Sequence, residues 1–353
     1  MASSLEEKLK LLNKGISDLK ESNKSPKPMS GANALKNKMD ALKPMNSGIH
    51  KPVANLQLRK KSMDWRGALL KRVMSIVEKH AGITLNNSHE EKLLRQIDKL
   101  TDQSELEQWV SSLEVMGNRH GDLQALIEYL TVHETYFYRD PQQFNGVREE
   151  VFPEIFKRKL SGQKKIKVWS AACSSGEEPY TLIILLLDEL IKKSYASEKS
   201  GGIVTDWSID VLGTDISSKI IQTASRGLYS GGPLGSFRGM PKALMRFFSE
   251  GEKNANNKLA FINYTVKPFV KKLARFKLFN LTSNRPPETG FDIVFCRNVM
   301  IYFNDDVKKQ VQKTLYDALG PGGALVLGPT DILMIPELFT LHRRRGYTYY
   351  VKK

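Results

Sequence analysis

The chain has 353 residues, of which 41% are hydrophobic, and a formal net charge of +16. This length and apolar content predict a buried core large enough for two domains. The two cysteines, Cys173 and Cys296, form no CxxC pair, which argues against a zinc site or a disulfide framework and fits a reducing compartment. The N-terminal segment lacks the apolar core of a signal peptide, and no apolar run is long enough to span a bilayer, so we expect a cytoplasmic protein.

Residues 1–63 form a basic leader that we predict to be disordered. They contain 13 Lys and Arg against 5 Asp and Glu, a balance of +8, which is half of the excess positive charge. No aromatic residue occurs before Trp65, and a segment rich in Ser, Asn, Pro and Lys cannot bury enough apolar surface to order itself. Two short stretches with helical spacing of Leu and Met could fold against a receptor-array component or an anionic membrane surface, although a solvated tail is the simpler interpretation.

A small helical domain is predicted for residues 64–150. The stretch WRGALLKRVMSIVEKHAGI places apolar side chains at 69, 70, 73, 76 and 77, on one face of a helix. Later stretches continue the same period. The region ends in TVHETYFYRDPQQF, where polar side chains crowd around three consecutive aromatic residues. A plain joint between two domains would not need that density of polar groups.

Residues 151–353 alternate strand-like and helix-like segments. The stretches KIKVWSA, SIDVLGTDIS and FDIVFCRNVMIYF have the composition of buried strands, and EPYTLIILLLDELIKKS, SKIIQTASRGLY and DDVKKQVQKTLYDAL that of helices. This alternation predicts an α/β fold with a doubly wound, mostly parallel sheet. In such sheets, ligands bind beyond the carboxyl ends of the strands, where the strand order reverses.

The turn after the first of these strands, SAACSSGEEPY, has the features of a ligand site. Its small residues allow a ligand to approach the backbone closely, but the dinucleotide fingerprint GxGxxG is absent. Glu177 and Glu178 at the start of the next helix would repel a phosphate and suit a cationic, hydroxyl-rich ligand such as S-adenosylmethionine. Asp215, at the end of the following strand, is placed to accept hydrogen bonds from a ribose. Each feature also has a plain interpretation: a tight βα loop for the small residues, and a helix N-cap for Asp215.

Several stretches together resemble the chemotaxis-receptor glutamate methyltransferases, the CheR family. They are KHAGITL, TVHETYFYRD, VWSAACSSGEEPYTL, GTDIS, FNL, FDIVFCRNVMIYF and PGGALVLG, which occur in the family's order over about residues 64–353. The resemblance implies an N-terminal all-α domain and a class I (Rossmann-like) S-adenosylmethionine-dependent methyltransferase domain. It also implies a small antiparallel β-subdomain inserted at residues 227–272. Residues 1–63 lie outside the resemblance.

The resemblance further implies roles for individual residues. Arg139 is implied to reach the cofactor and to pair with a carboxylate, and Tyr302 to lie near the transferred methyl group, which makes them the predicted catalytic residues. The implied cofactor contacts are His133, Thr135, Arg139, Glu178, Asp215, Asn280, Leu281, Arg297 and Asn298. In two places the chain departs from the family: His133 replaces the usual Asn, and Gly328, Pro329, Thr330 and Asp331 replace a Gly-His-Ser-Glu run.

The implied activity is methyl transfer from S-adenosyl-L-methionine to glutamate carboxylates of methyl-accepting chemotaxis receptors, with S-adenosyl-L-homocysteine as product and no metal. A glutamate side chain, with its ordinary pKa of about 4.3, is already ionised at neutral pH, so its attack on a sulfonium methyl needs no general base.

Two alternatives stay open. The departures at residues 133 and 328–331 favour a cofactor-binding signalling adaptor with little or no activity. The basic charge favours a nucleic-acid methyltransferase, but no stripe of basic and aromatic residues supports nucleic-acid binding. We expect a monomer.

Overall fold

The computed structural model describes residues 53–98, 102–117, 121–131, 133–253, 262–344 and 346–353. Contacts divide the chain into two units: one includes Leu85–Leu130 and the residues up to Val77, and the other includes Glu78–Thr84 and Thr131–Lys353. Residues 1–52 lie outside the described residues, and the disorder and partner docking predicted for the leader fall mostly there. Within the described residues, no helix is both long enough and apolar enough to cross a bilayer.

The described part of the first unit is helical. Its elements are α1 (Val53–Ala81, which ends in the second unit), α2 (Asn87–Ile97), α3 (Gln103–Met116) and α4 (Gly121–Leu130). The apolar face predicted at residues 69, 70, 73, 76 and 77 is buried, which confirms the helical period. Helix α1 begins earlier than predicted, at Val53, so residues 53–63 of the predicted leader are helical in the structure.

The second unit contains a longer series of elements. In chain order they are α5 (Pro141–Gly146), a π-helical turn (Val147–Val151), α6 (Phe152–Leu160), β1 (Lys165–Ala171), α7 (Glu177–Lys192), β2 (Ala196–Lys199), β3 (Gly202–Thr205), β4 (Ser208–Asp215), α8 (Ser218–Arg226), β5 (Leu228–Ser230), a 3₁₀ helix (Lys242–Phe247), β6 (Phe248–Lys253), β7 (Ile262–Val266), α9 (Pro268–Lys271), β8 (Ala274–Leu278), β9 (Phe291–Cys296), a 3₁₀ turn (Met300–Tyr302), α10 (Asp305–Ala318), β10 (Leu319–Leu327), a 3₁₀ turn (Pro336–Leu338), β11 (Phe339–Arg344) and β12 (Tyr347–Lys352).

A seven-stranded sheet forms the centre of this unit, with strand order β11, β12, β10, β9, β1, β4, β8. The strands from β10 to β8 are parallel, whereas β12 runs antiparallel to β10 and β11 antiparallel to β12. In the centre, Trp169 of β1 lies opposite Leu212 of β4 and Val294 of β9. The mostly parallel α/β sheet is therefore confirmed. The strand order reverses at β1, so the carboxyl ends of β1 and β9 are where a ligand is expected.

Two smaller antiparallel sheets lie outside the central one. Strands β5, β7 and β6 form a three-stranded sheet within residues 227–272, the range predicted for an inserted subdomain. Strands β2 and β3 form a hairpin at residues 196–205. The hairpin is short and lacks a clear apolar alternation: β2 reads Ala-Ser-Glu-Lys.

Residues 131–150 belong to the second unit, although the sequence pattern grouped them with the helical domain. The reason is packing. Phe137, Tyr138, Phe144 and Val147 are buried in the same apolar core as the strands of the central sheet. An aromatic cluster in a polar context is a poor guide to which neighbour it packs against, since burial depends on contacts far along the chain.

Asp188, on the buried face of α7, joins three segments of this unit by ion pairs. Its carboxylate contacts Arg148 at 2.8 Å, Arg246 at 2.7 Å and Lys192 at 2.9 Å. Arg148 lies in the π-helical turn and Arg246 in the 3₁₀ helix before β6, so one carboxylate links both to α7. Burial alone would raise the pKa of Asp188, but hydrogen bonds from Lys192 and Arg246, together with the charges of Lys192 and Arg148, lower it overall.

Replacing Asp188→Asn should therefore destabilise the protein by about 1.5–3 kcal/mol at neutral pH, the range for lost hydrogen bonds between charged groups. Because the folded pKa is lowered, the contribution of Asp188 is complete above the unfolded value of ~3.9 and is lost as the pH falls through the folded value. Urea unfolding at a series of pH values should show the difference from wild type shrinking below about pH 3.9.

Asp317→Asn is the matched control, because Asp317 forms an exposed ion pair with Lys313. Exposed pairs contribute only about 0–1 kcal/mol. Equal losses of stability in the two variants would show that the Asp188 network has no special role.

Candidate active site

The loop that follows β1 is held in an unusual backbone conformation. Ala172 and Ser174 have φ values of 57° and 50°, in the left-handed region that most side chains avoid. Cys173 between them donates its backbone N–H to the Thr214 carbonyl at 2.8 Å, which ties the loop to the end of β4. At Gly176, with φ of 95°, a Cβ atom would lie 2.8 Å from the Cβ of Ala224. The small residues are therefore required by the turn itself as well as by any ligand.

Asp215 lies at the carboxyl end of β4 and is buried. Its carboxylate accepts hydrogen bonds from the backbone N–H groups of Ser174 at 2.9 Å and Ser217 at 3.0 Å. The N-cap of α8 is Ser217, whose hydroxyl accepts a hydrogen bond from Ile220, so the N-cap interpretation of Asp215 is wrong. Burial raises the pKa of Asp215, against the opposing effects of the His133 charge and the backbone N–H groups.

Arg297, directly after β9, is a buried cation that binds three groups. One of its terminal nitrogens donates to Glu178 at 2.9 Å, and the other donates to the Arg139 carbonyl at 2.8 Å and to Asp140. Glu178 also accepts a hydrogen bond from Ser170 at 2.8 Å. Glu178, the acid predicted to contact a ligand, is thus held in place at the first turn of α7.

Residues 131–140 form a second wall. Thr131 and His133 are hydrogen-bonded at 2.8 Å through their side chains, and the His133 carbonyl accepts a hydrogen bond from the Ser174 hydroxyl at 3.0 Å. Arg139 donates to the Glu134 carbonyl at 2.7 Å. Within the described part of the chain, Arg139 makes no ion pair, so its charge faces the cavity without a carboxylate partner. Thr135 lines the same cavity.

An apolar wall comes from residues 78–84 and from the segments after β8 and β9. The Asn280 side chain donates to the His80 carbonyl, and Thr84 donates its backbone N–H to the Tyr302 carbonyl at 2.6 Å. Ile83 forms a β-bridge with Phe303. These contacts place the apolar side chains of Ala81, Ile83, Phe279, Leu281, Ile301 and Phe303 around the cavity.

The departure at residues 328–331 forms a compact turn against the loop after β9. Asp331 accepts a hydrogen bond from the backbone N–H of Gly328 at 2.8 Å, and the backbone N–H of Asn298 lies near enough to the carboxylate to affect its pKa. Asn298 has φ of 58°, another left-handed residue that lines the cavity. Burial raises the pKa of Asp331, and the two N–H groups oppose this effect. The carboxylate at this position therefore closes the turn at residues 328–331, and Gly328 of that turn lies against the Asn298 backbone.

All of these features surround one cavity of about 240 Å³ at the switch point of the sheet. The structure brings every predicted site residue to it, namely His133, Thr135, Arg139, Glu178, Asp215, Asn280, Leu281, Arg297, Asn298 and Tyr302. Their roles remain predictions.

Sequence reasoning missed the wall formed by Ala81 and Ile83, although the stretch KHAGITL that contains them was among the matching motifs. Over the described ranges, no three His, Cys, Asp or Glu side chains are grouped as a metal site.

Comparison with known proteins agrees with this geometry. The family model described as CheR methyltransferase, SAM binding domain, matches residues 133–347. Chemotaxis protein methyltransferase 1 of Pseudomonas aeruginosa is 30% identical over 259 residues, which cover 73% of this chain and 87% of the relative. Chemotaxis protein methyltransferase 1 of Vibrio cholerae is 32% identical over 259 residues, which cover 73% of this chain and 86% of that relative. Chemotaxis protein methyltransferase 2 of the same organism is 30% identical over 279 residues, covering 77% and 88% of the two chains.

The family match covers more than half of the chain, and the relatives align over most of their length. The chain belongs to the CheR methyltransferase family.

Proposed function

We propose that the protein transfers the methyl group of S-adenosyl-L-methionine to glutamate side chains of methyl-accepting chemotaxis receptors, forming methyl esters. The observation that carries the proposal is the meeting of Glu178, Asp215 and Arg139 around one cavity at the sheet's switch point. Family membership and the names of the relatives support the same activity.

The cavity residues fit this cofactor chemically. Asp215 is a buried acceptor beside the backbone of Ser174, and such a carboxylate suits a ribose diol. The apolar wall suits an adenine ring, and Asn280 and Leu281 lie in it. No glycine-rich phosphate loop is present in the sequence, and the acids at the start of α7 would repel phosphate. When bound, the cofactor supplies an electrophilic methyl group on a sulfonium.

The residues of the chain then position an acceptor that is already a nucleophile. We assign Arg139 to orient a carboxylate, because its guanidinium contacts the cavity and is held from behind by the Glu134 carbonyl. Tyr302, which lines the same cavity, is assigned to orient the acceptor. The apolar wall excludes water. Holding the two reactants in a fixed approach geometry contributes up to about 7–11 kcal/mol in favourable systems.

The first prediction for this site concerns Asp215. Replacing Asp215→Ala should weaken S-adenosyl-L-methionine binding by about 1.5–3 kcal/mol, since charge-assisted hydrogen bonds are lost. Because the pKa of Asp215 is raised, wild-type affinity should begin to fall on acidification at a pH above the ordinary aspartate pKa of ~3.9, and the variant should lack that dependence. Isothermal calorimetry between pH 4.5 and 8 measures both effects.

Asp210→Ala is the control for that experiment. Asp210 lies on the same strand but pairs with Arg275, away from the cavity lining. Its replacement should leave the affinity unchanged. Unaltered cofactor binding in Asp215→Ala would remove Asp215 from the site.

The next prediction separates binding from catalysis. Arg139→Ala and Tyr302→Phe should each lower kcat by roughly tenfold or more, about 1.4 kcal/mol of barrier, while cofactor affinity changes less. The exposed Arg226→Ala on α8 serves as the control. Single-turnover kinetics measures the rate of methyl transfer, and calorimetry measures cofactor affinity, so the two effects are separated. Equal losses of turnover and affinity would make Arg139 and Tyr302 binding residues only.

The product chemistry tests the substrate class. After incubation with methyl-labelled cofactor and a receptor cytoplasmic fragment, base treatment should release labelled methanol, because carboxylate methyl esters hydrolyse in base. A fragment with its acceptor glutamates changed to alanine should release none. Cofactor binding without any transfer would support the adaptor alternative instead. Label in added RNA or DNA would support the nucleic-acid alternative.

A further inference from the structure

A second concave surface lies at the edge of the central sheet that is formed by β11. We call it the hairpin groove: it lies between one face of the β11–β12 hairpin and residues 328–336. Its volume is about 640 Å³. Established ligand sites span roughly 300–1,000 Å³, so the groove is large enough to hold side chains of a partner.

The hairpin wall presents both apolar and basic groups. Alternate residues of a strand share a face, and Phe339, Leu341 and Arg343 of β11 all line the groove. Leu341 lies opposite Tyr350 and Arg343 opposite Thr348 on β12, and both partners also line it. One face of the hairpin therefore forms the wall.

Large aliphatic side chains are exposed on both walls. Leu341 is 59% exposed, and Ile332 in the opposite wall is 73% exposed. The Ile332 wall is fixed, because the Gln312 side chain donates to the Ile332 carbonyl at 2.8 Å and accepts from the Met334 N–H at 2.7 Å. Exposed apolar side chains on both walls of a concave surface are typical of an interaction site.

The charge available in the groove is positive. Arg343 is exposed and makes no ion pair within the described part of the chain, and Arg344 pairs with Glu150 at 3.4 Å. The acid that lines the groove, Asp331, is already engaged by the backbone N–H of Gly328. A partner for this surface is therefore expected to be acidic as well as apolar.

The groove adjoins the candidate active site at Gly328. Gly328 lines the groove, and a Cβ atom on it would lie 3.0 Å from the backbone nitrogen of Asn298, which lines the cavity. The two concave surfaces are therefore separated by a single backbone contact.

We propose that the hairpin groove binds an acidic segment of the methyl-accepting protein, with an aliphatic side chain between Leu341 and Ile332 and a carboxylate at Arg343. This inference rests on the proposed function, because a protein whose glutamates accept methyl groups has an acidic segment near the site. The groove then contributes to substrate affinity and leaves the methyl-transfer step unchanged.

Direct binding provides the first test. Fluorescence anisotropy of the full chain is measured with a labelled peptide of core sequence Glu-Glu-Leu-Glu-Glu, and with versions carrying Ser for Leu or Lys for Glu. Loss of the buried Leu should weaken binding roughly tenfold, and the Lys version should not bind. The protein variants Arg343→Glu and Leu341→Ser should each weaken binding of the parent peptide by a similar factor. Val204→Ser, at an equally exposed site on β3, should not.

Catalysis provides the second test. With a receptor cytoplasmic fragment as acceptor, Arg343→Glu and Leu341→Ser should raise KM for the fragment while kcat and cofactor affinity stay at wild-type values. Wild-type KM and peptide affinity in both variants would overturn the groove proposal, even if methyl esters form. A shift from dimer to monomer in Leu341→Ser, by sedimentation velocity, would also overturn it by making the groove a self-interface. Peptide binding that depends on Arg343, without any methyl ester from wild type, would overturn the proposed function and leave the groove standing.

Discussion

The buried guanidinium of Arg297 is the interaction on which the active cavity depends. It joins the end of β9 to Glu178 at the start of α7 and to residues 139–140. One cation is thus shared by two carboxylates, Glu178 and Asp140. Removing one partner of a buried pair leaves an uncompensated charge, which costs about 3–5 kcal/mol. Arg297 was predicted as a cofactor contact, but its terminal nitrogens already bind protein groups, so it acts first as the organiser of the wall.

A backbone constraint works together with that cation. Ala172 and Ser174 follow β1, and Asn298 follows β9, and all three hold left-handed conformations at the carboxyl ends of adjacent strands. Such conformations cost of order 1–3 kcal/mol for a residue with a side chain and persist only where surrounding contacts determine them. For the loop after β1 the contact is visible: Asp215 accepts a hydrogen bond from the Ser174 N–H. The Asp215 carboxylate therefore helps to fix a strained loop that shapes the cavity.

The central sheet and the acids Glu178 and Asp215 could be predicted because their signals are local: buried strands read as apolar runs, and these acids follow two such strands. The other site residues were predicted from the family resemblance. The apolar wall could not be predicted in this way. Its contacts join His80 to Asn280 and Thr84 to Tyr302, pairs separated by about two hundred residues, and no period in the sequence encodes them. The role of Asp215 was ambiguous for a related reason, since only the structure shows that Ser217 takes the N-cap position.

The distribution of charge in the cavity fits the chemistry of the proposed reaction. Asp215 is buried with no ion pair to Lys or Arg among the described residues, and Glu178 and Asp140 share the single positive charge of Arg297. Arg139, which lines the same cavity, adds a positive charge with no ion-pair partner in the described part of the chain. Methyl transfer from a sulfonium cation to a carboxylate anion removes both charges, so the products are less polar than the reactants. An apolar wall of Ile83, Phe279 and Phe303 penalises separated charges more than neutral products, because electrostatic energies grow as the local dielectric falls. In the proposed reaction, the wall that sequence reasoning missed is therefore the part of the site that favours the loss of charge, while the predicted polar residues are the ones that we propose to position the two reactants.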